Sequence, residues 1–363
     1  MQGKAAGVFI ESGSGKLGQG IRVRVRGVSS ISGDTQPLYV VDGIPVLTDN
    51  LSSNSAATNP IADINPNDIE SINVLKDASA TAIYGSRATN GVVIVTTKRG
   101  KAGATKFNIA YQTGISKPTH KREFLNGAQY IELLTEARTN SGVSAASTAT
   151  RLGIIAAGQA PTTYDTNWQN EAFQRAPFSQ YDLNASGGNE KTRFFISGQY
   201  SDQKGIIVGN RYQRMNARFN IDHQATDKLS FGANLGTTRS VNDRLPNDNA
   251  FSSPMQIVAL SPLTPLTDPR TGLISGALDP ATGIYSTNFP FYFNPLLSII
   301  GGSYKATTYR LLGNVYAQYK FTPELYFRSE VGVDFTNYNE EQYLGRITSR
   351  NSGPTNGFGY NAA

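Results

Sequence analysis

From residue 105 onward, apolar and polar side chains alternate with a period of two in seven separate segments. In one of them, Met215 and Phe219 lie on the face opposite Arg218. Because successive side chains of a strand point to opposite faces, each segment is predicted to be a strand with one apolar and one polar face. The segments cover residues 106–115, 181–186, 193–200, 213–221, 229–235, 309–321 and 325–335.

The lengths of these segments and of their connections favour strands that cross a membrane. Such a strand needs ~9–11 residues, and most of the segments reach that length. Short turns alternate with longer connections, at 187–190, 225–228 and 322–324 against 116–179, 202–211 and 241–305. This order is typical of outer-membrane barrels, which have short periplasmic turns and longer extracellular loops. A soluble sandwich shares the alternation of side chains but does not require that of the loops.

The first hundred residues have a different pattern, that of a compact α/β unit. A strand is predicted over residues 69–75, followed by a short helix that Asp77 or Ser79 can cap. Residues 92–95 form an apolar, β-branched run, typical of a strand buried on both faces. Gly85 and Gly91 are predicted where the chain turns or another backbone comes close.

Composition narrows the classes of function. The 363 residues are enough for two domains, and no apolar run is long enough for a membrane-spanning helix. The absence of cysteine excludes a disulfide framework and thiolate metal sites. Since His120 and His223 are the only histidines, few residues are available to form a histidine metal site or a catalytic triad. We therefore expect no metal, no cofactor and no enzymatic activity.

The net charge of +6 raises the question of a nucleic-acid partner. The one dense basic cluster is Arg22, Arg24 and Arg26, which alternate with apolar residues and so share one face of a strand. No aromatic stacking platform accompanies these arginines. The pattern favours a face that meets water, or carboxylates inside a barrel, and no nucleic-acid partner is expected.

Three motifs in the first hundred residues carry a resemblance to a known family. They are IRVRVRG at 21–27, PLYVVDGIPV at 37–46 and NPNDIESINVLKDASATAIYGSRATNGVVIVTTK at 65–98. In this order and spacing they resemble the plug domain of TonB-dependent outer-membrane transporters, and more narrowly the SusC/RagA branch. Weaker similarity continues at 125–130, 167–171 and 186–191 and fades after residue 240.

The resemblance implies a fold and a function. The expected fold class is an α+β plug domain over residues 1–102, followed over 103–363 by about seven antiparallel transmembrane β-barrel strands of an incomplete barrel. The family imports large nutrients, such as oligosaccharides or peptides, through a plugged 22-stranded barrel in the outer membrane of Gram-negative bacteria. The implied partners are a SusD-like surface lipoprotein, TonB, the nutrient and outer-membrane lipid. A chain that begins inside the plug, without the TonB-pairing segment, and ends before the barrel closes is expected to be a fragment that is inactive alone.

Two carboxylates on the polar side of the last segment, Glu330 and Asp334, are candidates for holding the plug in place. Their predicted partners are plug arginines, namely Arg22, Arg24, Arg26 or Arg87. Partly buried pairs of this kind would lock the plug, because breaking one leaves an uncompensated charge. The alternative is that both carboxylates line an ordinary wet lumen wall.

The single tryptophan, Trp168, lies with Tyr164 and Phe173 in the long first connection. These rings suit stacking on a sugar or peptide at the outer mouth, so Tyr164 and Trp168 are candidate ligand contacts. The favoured interpretation is a buried anchor for the connection, because a lone tryptophan is usually packed.

Two rival functions remain from the sequence. One is a soluble or secreted β-rich binding protein. The other is an α/β enzyme built on residues 20–100, which would need a pocket with convergent titratable groups.

Overall fold

A computed structural model of the chain describes residues 7–11, 16–18, 22–25, 36–48, 50–52, 64–77, 81–148, 164–245, 255–268, 271–277, 279, 281–282, 294, 296–345 and 358–362. Their strands form three sheets with two, four and eight members. Within these ranges, no helix is long and apolar enough to cross a membrane.

The first hundred residues hold the two smaller sheets. Strands β1 (Val8–Glu11) and β2 (Arg22–Val25) form an antiparallel pair in which Val8 lies opposite Val25. The other sheet, called the small sheet below, has the order β4-β3-β6-β5. Its strands are β3 (Leu38–Val41), β4 (Ile44–Val46), β5 (Ile69–Leu75) and β6 (Val92–Thr97). Only β3 and β6 run parallel to each other.

The small sheet has an apolar cluster on each side of its centre. Val41 and Val95 belong to one cluster, and Val40 and Val92 to the other. The predicted burial of residues 92–95 on both faces is therefore confirmed. Gly91 has a φ of 89°, and a Cβ there would lie 3.1 Å from the Leu75 carbonyl oxygen. The predicted close approach at this glycine is thus also confirmed.

The predicted helix between β5 and β6 is a 3₁₀ helix, Ala82–Ala88, broken at Gly85, where φ is 67°. The predicted cap at Asp77 stays a prediction, because residues 78–80 lie outside the described residues. Thr81 stands at the N-cap and makes no side-chain capping bond, while the Thr81 N–H binds the Asp77 carbonyl oxygen. The alternative cap, Ser79, lies outside the described residues. Because Gly85 turns the chain after half of this element, a regular α-helix cannot form there.

The large sheet, called the wall below, is antiparallel and follows sequence order. It contains β7 (Gly103–Ser116), β8 (Ala176–Gly188), β9 (Thr192–Lys204), β10 (Arg211–Gln224), β11 (Leu229–Asp243), β12 (Gly302–Lys320), β13 (Tyr326–Leu344) and β14 (Phe358–Ala362). The predicted alternating segments lie in β7–β13, apart from Phe321 and Leu325 in the turn that joins β12 to β13. The sheet is open, as the predicted incomplete barrel requires.

Short helices occupy the long connections between wall strands. They are α1 (Gly127–Asn140), α2 (Trp168–Ala172), α3 (Met255–Val258) and α4 (Leu296–Ile300). A capping box starts α1, in which the Asn126 side chain accepts from the Gln129 N–H and the Gln129 side chain accepts from the Asn126 N–H. A one-turn 3₁₀ helix, Pro66–Asp68, leads into β5.

Burial in the wall is the reverse of that in a soluble protein. Large apolar side chains of its outer face, such as Ile109 and Val331, are 78% and 68% exposed. Polar side chains of the inner face, such as Asn220 and Asn234, are 1% exposed. The apolar face is therefore bare, and the polar face is covered by the small sheet and its neighbouring segments.

Candidate functional site

The candidate site is the contact between the small sheet and the wall. One part of it is the two-residue turn between β3 and β4. Asp42 has a φ of 47° and Gly43 a φ of 91°. A tight hairpin turn needs positive φ at both positions, which explains the Asp-Gly pair in the sequence. Among the described residues, Asp42 is the only non-glycine with positive φ. The turn carries the Asp42 carboxylate to the edge of the small sheet, where it meets the wall.

A wall arginine, Arg218 on β10, lies between two carboxylates of the N-terminal unit. Its Nη1 lies 3.5 Å from Asp42 Oδ2, and its Nε lies 3.7 Å from Asp68 Oδ2. All three side chains are at most 7% exposed. Thr97 completes the cluster by donating its hydroxyl to Asp42 Oδ2 at 2.6 Å and its N–H to Asp42 Oδ1 at 2.9 Å. One buried cation thus holds two buried anions across the interface.

Amide side chains of the wall extend this contact to the backbone of the small sheet. Asn220 donates to the Lys98 carbonyl oxygen at 2.7 Å, and Asn314 donates to the Asp42 carbonyl oxygen at 3.1 Å. Gln199 donates to Asn65 Oδ1 at 2.9 Å, next to the 3₁₀ helix that Asn65 caps. Since these donors are neutral, they fix the position of the small sheet without adding buried charge.

Asp68 contributes a titratable carboxyl to the cluster. Burial raises the pKa of its carboxyl above the usual value of 3.8, and the nearby charges of Arg218 and Lys98 oppose this rise only in part. A carboxyl whose pKa is raised in the docked state stabilises docking most when it is protonated. Docking should therefore weaken as the pH rises from the ordinary pKa through the raised one.

Exchange of Asp68 for asparagine should remove this dependence on pH. The chain has no cysteine, so Leu312→Cys supplies a single thiol on the wall, at a side chain that packs into the small-sheet core and is 5% exposed. Labelling of this thiol measures opening of the interface. The ratio of labelling rates between the Leu312→Cys chain with Asp68 and the one with Asp68→Asn should rise as the pH increases. A ratio that stays constant or falls would contradict the sign of the pKa shift.

A second buried cation–anion cluster joins the wall to the segment that follows β4. Glu340 on β13 is 0% exposed and lies 3.3 Å from Arg244 Nη1. The Ser52 hydroxyl donates to Glu340 at 3.1 Å, and Arg244 donates to the same hydroxyl at 2.9 Å. Tyr304 donates its hydroxyl to Glu340 as well. The Ser52 hydroxyl thus bridges the Arg244 guanidinium and the Glu340 carboxylate.

The structure places the two predicted wall carboxylates at the interface. Asp334 accepts two bonds from Arg310, at 2.9 and 2.8 Å, and a third from the Leu47 backbone N–H at 3.1 Å. Glu330 accepts from Arg328 at 2.9 Å and from Asn314. The ion pairs of Asp334 and Glu330 described in the structure are therefore made with wall arginines, and Leu47, which directly follows β4, reaches Asp334 through its backbone.

The four predicted plug arginines are placed as follows. Arg24 lies on β2, on the face opposite the buried Val23 and Val25, and Arg87 is exposed on the 3₁₀ helix. Arg22 belongs to β2 by its backbone, and Arg26 lies outside the described residues. A pair between any of these arginines and Glu330 or Asp334 stays a prediction.

The residues that sequence reasoning missed are Asp42, Asp68, Arg218 and Glu340. Two signals pointed toward them. Asp42 stands in a hairpin turn signature inside a conspicuous motif, and Arg218 lies on the polar face of a predicted strand. What the sequence does not contain is the match between the two surfaces, because it does not fix the register between plug and wall.

Trp168 lies away from this interface, among the long connections. It is 3% exposed, packs with Ile257 and Leu260, and donates its indole N–H to the Ser261 carbonyl oxygen at 2.9 Å. A cavity of about 670 Å³ adjoins it, lined by residues 121–126, 165–169 and 258–260 together with Tyr130 and Pro262. These contacts describe Trp168 as an anchor between two connections, and ligand contact by Tyr164 or Trp168 stays a prediction.

Replacement of Trp168 with alanine should release the two connections from each other. The loss of a buried aromatic ring typically costs ~3–5 kcal/mol, and the Ser261 carbonyl would also lose its donor. We expect protease cleavage within the connections to become faster than in Ile115→Ala, a control that removes an exposed apolar side chain of the wall. Equal cleavage of both variants would show that Trp168 does not hold the connections together.

No group of three or more potential metal-binding side chains occurs in the part of the chain that the structure describes. The inner face of the wall instead offers ion pairs and amide bonds, some of which reach the small sheet and its neighbouring segments. This arrangement suits a surface that holds another part of the same chain.

Comparison with known proteins identifies this arrangement. Residues 1–92 match the model of the TonB-dependent Receptor Plug Domain. TonB-dependent receptor SusC of Bacteroides thetaiotaomicron is 30% identical over 348 residues, covering 92% of this chain and 33% of the relative. TonB-dependent receptor P3 of Formosa agariphila is 31% identical over 356 residues, covering 93% of this chain and 30% of the relative. The chain thus spans about a third of the length of these curated relatives.

The fold has a counterpart among solved structures. The RagAB peptide importer in its closed-closed state superposes with a TM-score of 0.77 at 24% identity, covering 97% of this chain and 40% of that chain. The fold is that of a plug domain followed by the strands of an open antiparallel wall. The chain belongs to the SusC/RagA family of TonB-dependent receptors, as the three sequence motifs predicted.

Proposed function

We propose that this chain supplies the plug, over residues 1–102, and the first wall strands, over residues 103–363, of an outer-membrane importer of large nutrients. The observation that carries the proposal is the reversed burial of the wall, whose apolar face is bare and whose polar face holds the plug. A soluble binding protein would need its apolar face covered, because burial of apolar surface drives folding in water.

The height of the bare apolar face fits a membrane. On β12, the outward side chains Tyr309 and Tyr319 frame Leu311 and Val315, and all four are at least 40% exposed. At ~3.4 Å per residue, the ten-residue spacing of the tyrosines is about 34 Å along the strand. A tilt of ~35–45° reduces this to about 25 Å, the height of the apolar band of outer-membrane barrels.

The chemistry of the plug–wall contact fits a gate. Its contacts include buried ion pairs and amide bonds, such as those of Arg218 and Asn220. When such an interface opens into water, its polar groups find new partners, whereas an apolar interface would resist opening. A nutrient bound above the plug needs only to favour the open state over the closed one, and no covalent bond is made or broken.

The nutrient class and the partners extend the same proposal. Oligosaccharides and peptides are the candidate substrates, and a structural neighbour is described as a peptide importer. A SusD-like surface lipoprotein would cover the long connections, TonB would supply energy through an N-terminal segment, and outer-membrane lipid would surround the wall. The chain of 363 residues is proposed to be inactive by itself, because an open sheet leaves edge groups that lipid cannot satisfy.

Uptake measurements in the parent bacterium test this function. Deletion of the gene that encodes this chain should abolish uptake of either a fluorescent oligosaccharide set or a fluorescent peptide set. Deletion of TonB should abolish the same uptake. Expression of the 363 residues alone in the deleted strain should place the chain in the outer-membrane fraction without restoring uptake. Recovery of the chain in the aqueous periplasmic fraction would instead favour the soluble binding protein.

A further inference from the structure

One row of side chains crosses the outer face of six neighbouring wall strands in direct register. It consists of Tyr111, Tyr181, Tyr200, Met215, Arg239 and Tyr309, on β7 to β12 in that order. The rings of Tyr111 and Tyr181 lie 4.8 Å apart, and those of Tyr181 and Tyr200 lie 6.4 Å apart. We call these six residues the tyrosine row.

Arg239 is the cation of this row. Its Nε donates to the Tyr309 hydroxyl at 3.0 Å, and its Cζ lies 5.6 Å from the centre of the Tyr309 ring. The side chain is exposed, and it makes no ion pair with any residue that the structure describes. The outward cation Arg211 differs, because Asp202 binds it through two bonds at 2.8 and 2.5 Å.

The position of Arg239 marks the edge of the apolar face. From Arg239 toward the N-terminal end of β11, no outward side chain is charged. These side chains are Thr237, Leu235, Ala233, Phe231 and Leu229. A lipid-facing arginine costs ~2–4 kcal/mol at the bilayer midplane but about 0–1 kcal/mol near the interface. Arg239 therefore stands at the level where acyl chains give way to headgroups, on the side of the long connections.

We propose that Arg239, held by Tyr309, binds the phosphate of a membrane lipid. The bond from Nε to Tyr309 leaves the four N–H donors of the two Nη atoms, and an arginine fork matches phosphate oxygens in a bidentate way. Met215 and Leu311 beside this pair are 61% and 40% exposed and give the acyl chains an apolar surface. The inference rests on the proposed function in one respect, namely that the wall lies in a membrane.

Lipid binding to the purified chain in dodecyl maltoside tests the site. Native mass spectrometry would compare phosphatidylglycerol with monogalactosyl diacylglycerol, a lipid with the same acyl chains and no phosphate. We expect the chain to bind the phospholipid about tenfold more tightly, which corresponds to one charge-assisted hydrogen bond. Arg239→Gln should abolish this preference and Tyr309→Phe should reduce it. Arg211→Gln is the matched control and should leave the preference unchanged.

The outcomes separate the site from the proposed function. If Arg239→Gln keeps the preference for the phospholipid, or if Arg211→Gln loses it equally, the proposed phosphate site at Arg239 is wrong. The site is also wrong if excess inorganic phosphate displaces the phospholipid, since a free anion would then be the ligand. Equal binding of both lipids overturns the site and leaves the membrane location intact. Binding of neither lipid overturns both.

Discussion

Replacement of Arg218 with glutamine should weaken the seating of the plug against the wall by ~3–5 kcal/mol. The reason is that Arg218 opposes two buried carboxylates, Asp42 and Asp68, at 3.5 and 3.7 Å. Glutamine removes the ion-pair partner that both share, and each carboxylate is at most 6% exposed. In the Leu312→Cys background, thiol labelling should accelerate between about a hundredfold and a few thousandfold.

The matched control is Arg328→Gln. Arg328 is likewise a wall arginine in an ion pair, here with Glu330, but both side chains are about a third exposed, at 36% and 35%. Exposed pairs typically contribute less than ~1 kcal/mol, so labelling should change by less than about fivefold. Adding Asp68→Asn to Arg218→Gln should recover part of the loss, because one of the two stranded charges is removed. If Arg218→Gln labels no faster than the control, the buried cluster does not hold the plug.

Replacement of Glu340 with alanine should lower the free energy of unfolding by a similar ~3–5 kcal/mol. Glu340 is fully buried, and its loss strands Arg244, whose side chain is 5% exposed, and takes an acceptor from Ser52. Urea unfolding in detergent, followed by circular dichroism, should show a lower midpoint with an unchanged slope.

Glu341→Gln is the control for this second substitution. It removes a carboxylate from the next position of the same strand, where the side chain is exposed on the outer face. Its midpoint should match that of the unmodified chain. Equal midpoints for Glu340→Ala and Glu341→Gln would mean that the Arg244–Glu340 pair contributes nothing to stability.

Local pattern was enough to predict the wall. The alternation around Met215 and Phe219 predicts a strand whatever it packs against, and the short turns fix which strands are neighbours. The observed strands extend beyond the apolar segments, as in β13, which continues to Leu344. The last residues of β13 include polar side chains on both faces of the strand, and the alternation of apolar and polar residues does not predict a strand through such a stretch.

The ion-pair partners of the buried charged residues could not be predicted from the sequence, and the reason is physical. The pairing of Asp334 with a plug arginine stays a prediction, whereas its bonds to Arg310 on the neighbouring strand and to a plug backbone N–H come from the structure alone. The cation between Asp42 and Asp68 comes from the wall. Any inward arginine satisfies the charge balance equally well in sequence, and only the docked geometry decides between them.

The strand directions in the plug also determine how it would respond to tension. In the β1–β2 pair, Val8 lies opposite Val25, so a pull that enters before β1 and leaves after β2 separates the residue pairs one at a time. In the small sheet, β3 and β6 are parallel, and a pull from the start of β3 to the end of β6 shears their four pairs at once. Residues 98–102 tie β6 directly to the wall strand β7. Force from the N-terminal side should therefore unzip the β1–β2 pair at low load while the small sheet holds.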